Sequence, residues 1–244
     1  MFSAQDFAAR LAAREDRWSL LKDFVAEWHA PLKDGDGYTA EEVDAAERRL
    51  GLKLPLALRE YYLLAGQRED LVAKQNFLVS PDELEIEEGL LEFYCENQGV
   101  VHWGVNPDDL HLPDPPVYLN DDGLYGGERE NIRQNETLSE FVLQMLVLET
   151  ACFTEMGGNA AGDTNTAGIV QANFKPLGLP IWSWPKYSRL YGRDDVLVEL
   201  DQGDDKNCWV WVAALTKEAL HEAVKLLNLE WEYLYDGIPI NEIH

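Results

Sequence analysis

The chain has 244 residues, 46% of them hydrophobic, and sets 45 acidic side chains against 20 basic ones for a formal net charge of -25. With 8 Trp, 10 Tyr and 8 Phe it has the material for a real core, which excludes a disordered chain. So negative a surface repels phosphate backbones and anionic lipid, so neither nucleic acid nor a membrane is an expected partner, whereas a basic protein is drawn in.

Residues 3 to 29 are helical in pattern, with Phe7, Leu11, Trp18, Leu21, Val25 and Trp28 falling mostly on one face. Pro31 and Asp34-Gly35-Asp36-Gly37 end that helix in a turn. Thr39 and Glu42 have the spacing of a capping box, with Tyr38 and Val43 at the staple positions and Gly51 as the left-handed stop. Leu54-Pro55 restarts a helix, with Pro55 at its first position, and Gly66 stops it. Asn76 to Val79 is a short strand. Leu90 to Cys95 and Val100 to Val105 form a hairpin around Glu96-Asn97-Gln98-Gly99. Pro115 to Leu119 reads as an edge strand on account of its prolines. Thr137 or Ser139 starts a helix running to about Phe153. Residues 156 to 168, MGGNAAGDTNTAG, read as a small-residue loop. Strands at Ile181–Trp184, Val196–Leu200 and Cys208–Leu215 and a helix at Lys217–Leu227 complete the chain. The order implies an α+β fold, mainly antiparallel sheet with helices packed on it.

Chemical motifs are scarce. Cys95, Cys152 and Cys208 are odd in number with no C-x-x-C pair, which fits a reduced intracellular compartment. MFSAQDFAARLAARED shows no basic leader before an apolar run, and a run of about 18 apolar residues occurs nowhere, so a soluble cytoplasmic protein is expected. The five histidines show no metal-ligand spacing, and no cofactor is expected. GGNAAGDT lacks the lysine of a phosphate loop and carries Asp163 in its place. No G-x-S-x-G occurs.

Aspartate doublets recur at Asp108-Asp109, Asp121-Asp122, Asp194-Asp195 and Asp204-Asp205. They suit turns, through side-chain bonds to nearby backbone, or acid–base work if they converge. They are also candidate contacts for a basic partner, with Trp182 or Trp184 as an anchor if exposed.

The run ERRLGLKLPLALREYYLLAG, through Glu47, Leu50, Gly51, Leu54, Pro55 and Gly66, is similar to the signature of the SUKH superfamily. That superfamily includes the yeast cell-wall-synthesis regulator family and many bacterial immunity proteins. ENQGVVHWGV and DPPVY resemble its later sheet segments through Asn97, Gln98, Gly99, Trp103, Gly104, Asp114, Pro115, Pro116 and Val117. The resemblance covers about residues 38 to 150. It implies a SUKH-like core at 38–154, preceded by a helical extension at 1–37 and followed by strands and a helix at 155–244 that continue the same domain. It also implies a non-catalytic protein that neutralises a toxin domain, such as a nuclease or deaminase, or a regulatory scaffold. A basic protein toxin is therefore the expected partner.

Overall fold

The computed structural model describes residues 3–121, 131–184, 187–193, 195–202 and 206–236. Two compact units divide the chain: residues 31–146, and residues 1–30 together with 147–244. The stretch expected as one helix from 3 to 29 is two, α1 (Ala4–Ala9) and α2 (Arg14–Trp28). No Gly or Pro lies between them, so propensity does not set the break. Side-chain bonds hold it instead. The buried Arg17 guanidinium donates to the Leu11 carbonyl, and Arg10 donates to Ser19 Oγ at 3.0 Å and pairs with Asp23 at 2.8 Å.

The unit of residues 31–146 opens with α3 (Ala40–Leu50), α4 (Leu56–Ala65) and α5 (Glu69–Val72). The capping box of α3 forms as expected: the Thr39 N–H donates to Glu42 Oε2 at 2.7 Å, and the Glu42 N–H to Thr39 Oγ1 at 3.3 Å. Gly51 closes α3 at φ +69°, in the left-handed region open to glycine. Pro55 caps α4 from just outside its first turn, one position earlier than expected. Two acceptors then serve the local donors: buried Glu47 takes the Leu54 N–H at 3.1 Å, and the Pro113 carbonyl takes the Ala57 N–H at 2.9 Å. Gly66 does follow α4, at an ordinary right-handed φ of -61°. A side chain there would lie 2.7 Å from the Tyr38 ring.

Asp36 pins the turn before α3. Its carboxylate accepts the Lys33 N–H and the Arg68 guanidinium, each at 2.9 Å. These bonds, the Lys33 N–H first, hold its pKa below the ordinary carboxylate range, as Thr39 does for Glu42 and Thr166 for Asp163. A depressed folded-state pKa contributes stability that is present above the unfolded value of about 4 and is lost as pH falls through the folded one. Thermal melts between neutral pH and about pH 2 should therefore show an acid limb below about pH 4. Asp36→Asn should flatten it.

The sheet of this unit comprises β1 (Asn76–Leu78), β2 (Glu85–Glu87), β3 (Leu90–Glu96), β4 (Val101–Val105), β5 (Val117–Asp121) and β6 (Asn131–Asn135). It is antiparallel in the order β1-β3-β4-β5-β6, with β2 also paired to β3. A bulge between Glu92 and Tyr94 brings consecutive Phe93 and Tyr94 inward. Opposite Glu92, Gly104 lets β4 approach closely, since a Cβ there would meet the Leu91 carbonyl at 2.7 Å. Strand β5 is interior, not an edge. Pro115 and Pro116 precede it and so remove no ladder donor. Asp114 accepts the Ser139 N–H at 2.8 Å and Oγ–H at 2.6 Å, starting α6 (Leu138–Phe153), whose first residues close the unit. There Phe141 meets Phe93, Tyr94 and Trp103 with ring centroids 5.5 to 6.0 Å apart.

The other unit carries a sheet of its own. Its elements are β7 (Gly157–Asp163), α7 (Thr164–Asn173), β8 (Lys175–Pro176), β9 (Ser188–Arg193), β10 (Val196–Asp201), β11 (Asn207–Ala214), α8 (Lys217–Leu227) and β12 (Tyr233–Tyr235). The strand order is β12-β7-β11-β10-β9-β8, all antiparallel. The expected small-residue loop at 156–168 is mostly β7 and the start of α7. Its glycines admit neighbours on both sides: a Cβ at Gly157 would lie 2.4 Å from the Val212 carbonyl, and one at Gly158 2.6 Å from that of Tyr233. Asp163 caps α7 by accepting the Thr166 N–H at 2.9 Å. The expected strand at 181–184 reduces to a bridge between Trp182 and Ser188. Val196, Val198, Leu200, Val210 and Val212 pack with Val170 of α7, Phe174 just after it, and Leu220 and Leu227 of α8.

The fold is thus α+β with two antiparallel sheets. No helix of the described residues is long and apolar enough to cross a membrane. The three cysteines are free thiols. Burial pushes each of them up, most of all Cys152, and nearby carboxylates add to it. The folded protein is expected to react slowly with a thiol-specific chromogenic disulfide at neutral pH, and the unfolded chain to release three equivalents quickly. A fast-reacting thiol in the native state would contradict this.

Candidate interaction surface

Asp108 and Asp109 sit in a 3-10 turn, Pro107–Asp109, where Asn106 Oδ1 accepts the Asp108 N–H at 2.9 Å. Asp108 is exposed and Asp109 half-buried. Asp195 is half-buried between β9 and β10, and its carbonyl accepts the Leu215 N–H at 2.9 Å. The doublets at 108–109 and 195 belong to different units, so they form no common site within either one. Asp121 ends β5, and only its backbone is described. Asp122, Asp194, Asp204 and Asp205 lie outside the described residues. Trp182 is 3% exposed and belongs to the core rather than to a contact surface. Trp184 is half-buried, and neighbouring Tyr187 is 69% exposed.

The residues with SUKH-like spacing take structural roles. Glu47 is buried and braces the Leu54 N–H while pairing with Lys53. Leu50 ends α3, Leu54 and Pro55 are buried before α4, and Trp103 is fully buried. Glu96 is buried at the hairpin turn, where it accepts the Gln98 N–H at 2.8 Å and Gln75 Nε2–H at 2.9 Å.

The feature that a search for doublets passes over is the run Asp82-Glu83-Leu84-Glu85-Ile86-Glu87-Glu88, five carboxylates in seven residues with no basic one. All five acids are exposed, and so is Ile86, at 48%. Two local devices shape the run. Ser80 donates to Asp82 Oδ1 or to Glu83 Oε2, each 2.8 Å away, setting the turn before β2. Glu88 and Gly89, at φ +50° and +85°, form the two-residue turn that joins β2 to β3. Glu88 accepts from Asn120 Nδ2 at 3.2 Å, which holds a non-glycine residue in this unusual conformation.

Helix α3 stands beside this run. Arg49 donates to the carbonyls of Pro81 at 3.2 Å and Leu84 at 2.7 Å, tying the acidic segment to the helix. Tyr38, Glu42, Ala45, Ala46, Arg49, Pro81 and Asp82 line a cavity of about 310 Å³ between them. The field there is negative: burial first, and then Asp82, Glu42 and Glu83, push the Tyr38 phenol up. Glu41 and Glu42, exposed in the first turn of α3, extend the acidic face.

Among the described residues no group of three or more His, Cys, Asp or Glu is placed to hold a metal ion. His102 pairs with Glu92 at 3.0 Å and His221 with Asp236 at 3.0 Å. No family model, curated protein or solved structure matches the chain.

Proposed function

We propose that the protein is an acidic binding module of the immunity type, which neutralises a basic toxin domain by occupying its surface without making or breaking a bond. The observation that carries this reading is the exposed acidic face around β2, fixed to α3 by Arg49 and centred on a solvent-facing isoleucine. The net charge of -25 supports it, because a domain that handles nucleic acid must itself be basic. The SUKH-like order of Glu47, Gly51, Pro55, Trp103, Gly104 and Pro115 also supports it. Charge of this kind speeds encounter by roughly ten- to a thousandfold and selects the sign of the partner.

The test is calorimetric titration against a panel of catalytically disabled basic nuclease and deaminase toxin domains, at low and at physiological salt. At least one should bind, with an affinity that drops by about tenfold or more as salt rises through the range where the screening length shortens. Binding to none of them, or binding indifferent to salt, would remove the reading.

A further inference from the structure

We infer that β2 is a docking edge, to which an extended cationic segment of the partner adds as one more strand. This rests on the reading above, that the protein binds a basic domain through its acidic face. The geometry of β2 supplies the independent argument. Among the described residues its sole pairing is with β3, with Glu85 opposite Glu92, Ile86 opposite Leu91 and Glu87 opposite Leu90. Glu87 and Leu90 flank a two-residue turn, and residues in that position exchange both of their backbone bonds. The bonding alternates along the strand, so Ile86 turns its N–H and C=O away from β3. All three residues of β2 are exposed, and among the described residues no second strand pairs with it on that side.

An open strand edge invites self-pairing, and charge decides what it accepts. Two copies of β2 paired antiparallel about Ile86 would set Glu85 opposite Glu87 at both ends, and like charges directly opposite are unfavourable. A cationic strand meets the reverse situation. Glu85 and Glu87 share one face of the strand and Ile86 takes the other. The matching segment therefore alternates, with Lys or Arg opposite Glu85 and Glu87 and an apolar residue opposite Ile86. Asp82 and Glu83 before the strand, and Glu88 after it, extend the attraction past both ends. The bonds from Arg49 to Pro81 and Leu84 hold the edge in place before any partner arrives, which lowers the ordering cost of docking.

The experiment uses the full chain and a short fluorescent peptide alternating Lys and Val, read by anisotropy at low salt. Its companions are the Glu–Val counterpart and two versions N-methylated at every second backbone nitrogen, one for each phase. The Lys–Val peptide is expected to bind and the Glu–Val peptide not to. One methylation phase should lose about tenfold in affinity and the other little, because a single edge of the peptide faces β2. Ile86→Pro should weaken the parent peptide by about as much, since it removes the outward donor while sparing the ladder to β3. If both methylated peptides bind as tightly as the parent, strand addition is wrong and the acidic face acts through charge alone. Strand addition is equally wrong if a folded Ile86→Pro protein binds the parent peptide unchanged. If the Lys–Val peptide binds no better than the Glu–Val one, the acidic-face reading itself fails.

Discussion

Replacing Phe141 by alanine is expected to cost about 3–5 kcal/mol of unfolding free energy. The ring is fully buried where α6 begins, and it touches three others. Phe93 and Tyr94 meet it edge-on, with interplanar angles of 78° and 74°, and the Trp103 ring is tilted against it at 45°. Those rings come from two strands, Phe93 and Tyr94 from β3 and Trp103 from β4, and the bulge at Phe93 delivers the two neighbours to the same place. A backbone so constrained by sheet pairing relaxes little around a missing ring, so the cavity term adds to the lost transfer energy. Urea unfolding followed by circular dichroism measures the loss. Phe141→Leu should retain more than half of the lost stability. An alanine variant within about 1 kcal/mol of the parent would show that Phe141 does not organise this core.

Reversing two charges on the docking edge should have the largest effect on function. Glu85→Lys with Glu87→Lys raises the formal charge by four units, from -25 to -21. So does Glu230→Lys with Glu232→Lys, at exposed positions of the other unit. Position, not total charge, should decide the outcome. The first pair is expected to weaken a basic partner by about ten- to a hundredfold, mainly through faster dissociation if strand pairing is lost, whereas the second should change affinity by less than about threefold. Both pairs are solvent-facing, so thermal stability should stay within about 0.5 kcal/mol of the parent. Equal effects from the two pairs would mean that the protein attracts partners by net charge, without a preferred face.

Much of the fold from Thr39 to Gly66 is legible in the residues, because the signals there are local. The capping box needs only Thr39 and Glu42, the left-handed stop only Gly51, and each holds in three dimensions. The boundaries of α8 at Lys217 and Leu227 likewise follow from one amphipathic period after the Thr216 cap. What is not legible depends on distant partners. The break at residues 10–13 is held by Arg17 and Arg10, whose bonds no window of sequence displays. MGGNAAGDT reads as a loop until β11 and β12 are known to press against its glycines from either side. The division of the strands into two sheets is likewise a matter of pairing. The acidic run at 82–88 is visible as composition. Its standing as an open edge is not, because β2 is three residues long and takes its identity from β3.

The thiols register the same excess of carboxylates from the inside. Cys95 lies within the fields of Glu92, Glu96 and Glu83, Cys152 within those of Glu199 and Glu149, and Cys208 within those of Asp163 and Asp201. Burial first, and these carboxylates after it, favour the protonated, sluggish form of each thiol, so oxidants and alkylating agents should find little to attack. The excess of acid on this chain thus adds to burial in guarding the thiols against electrophiles.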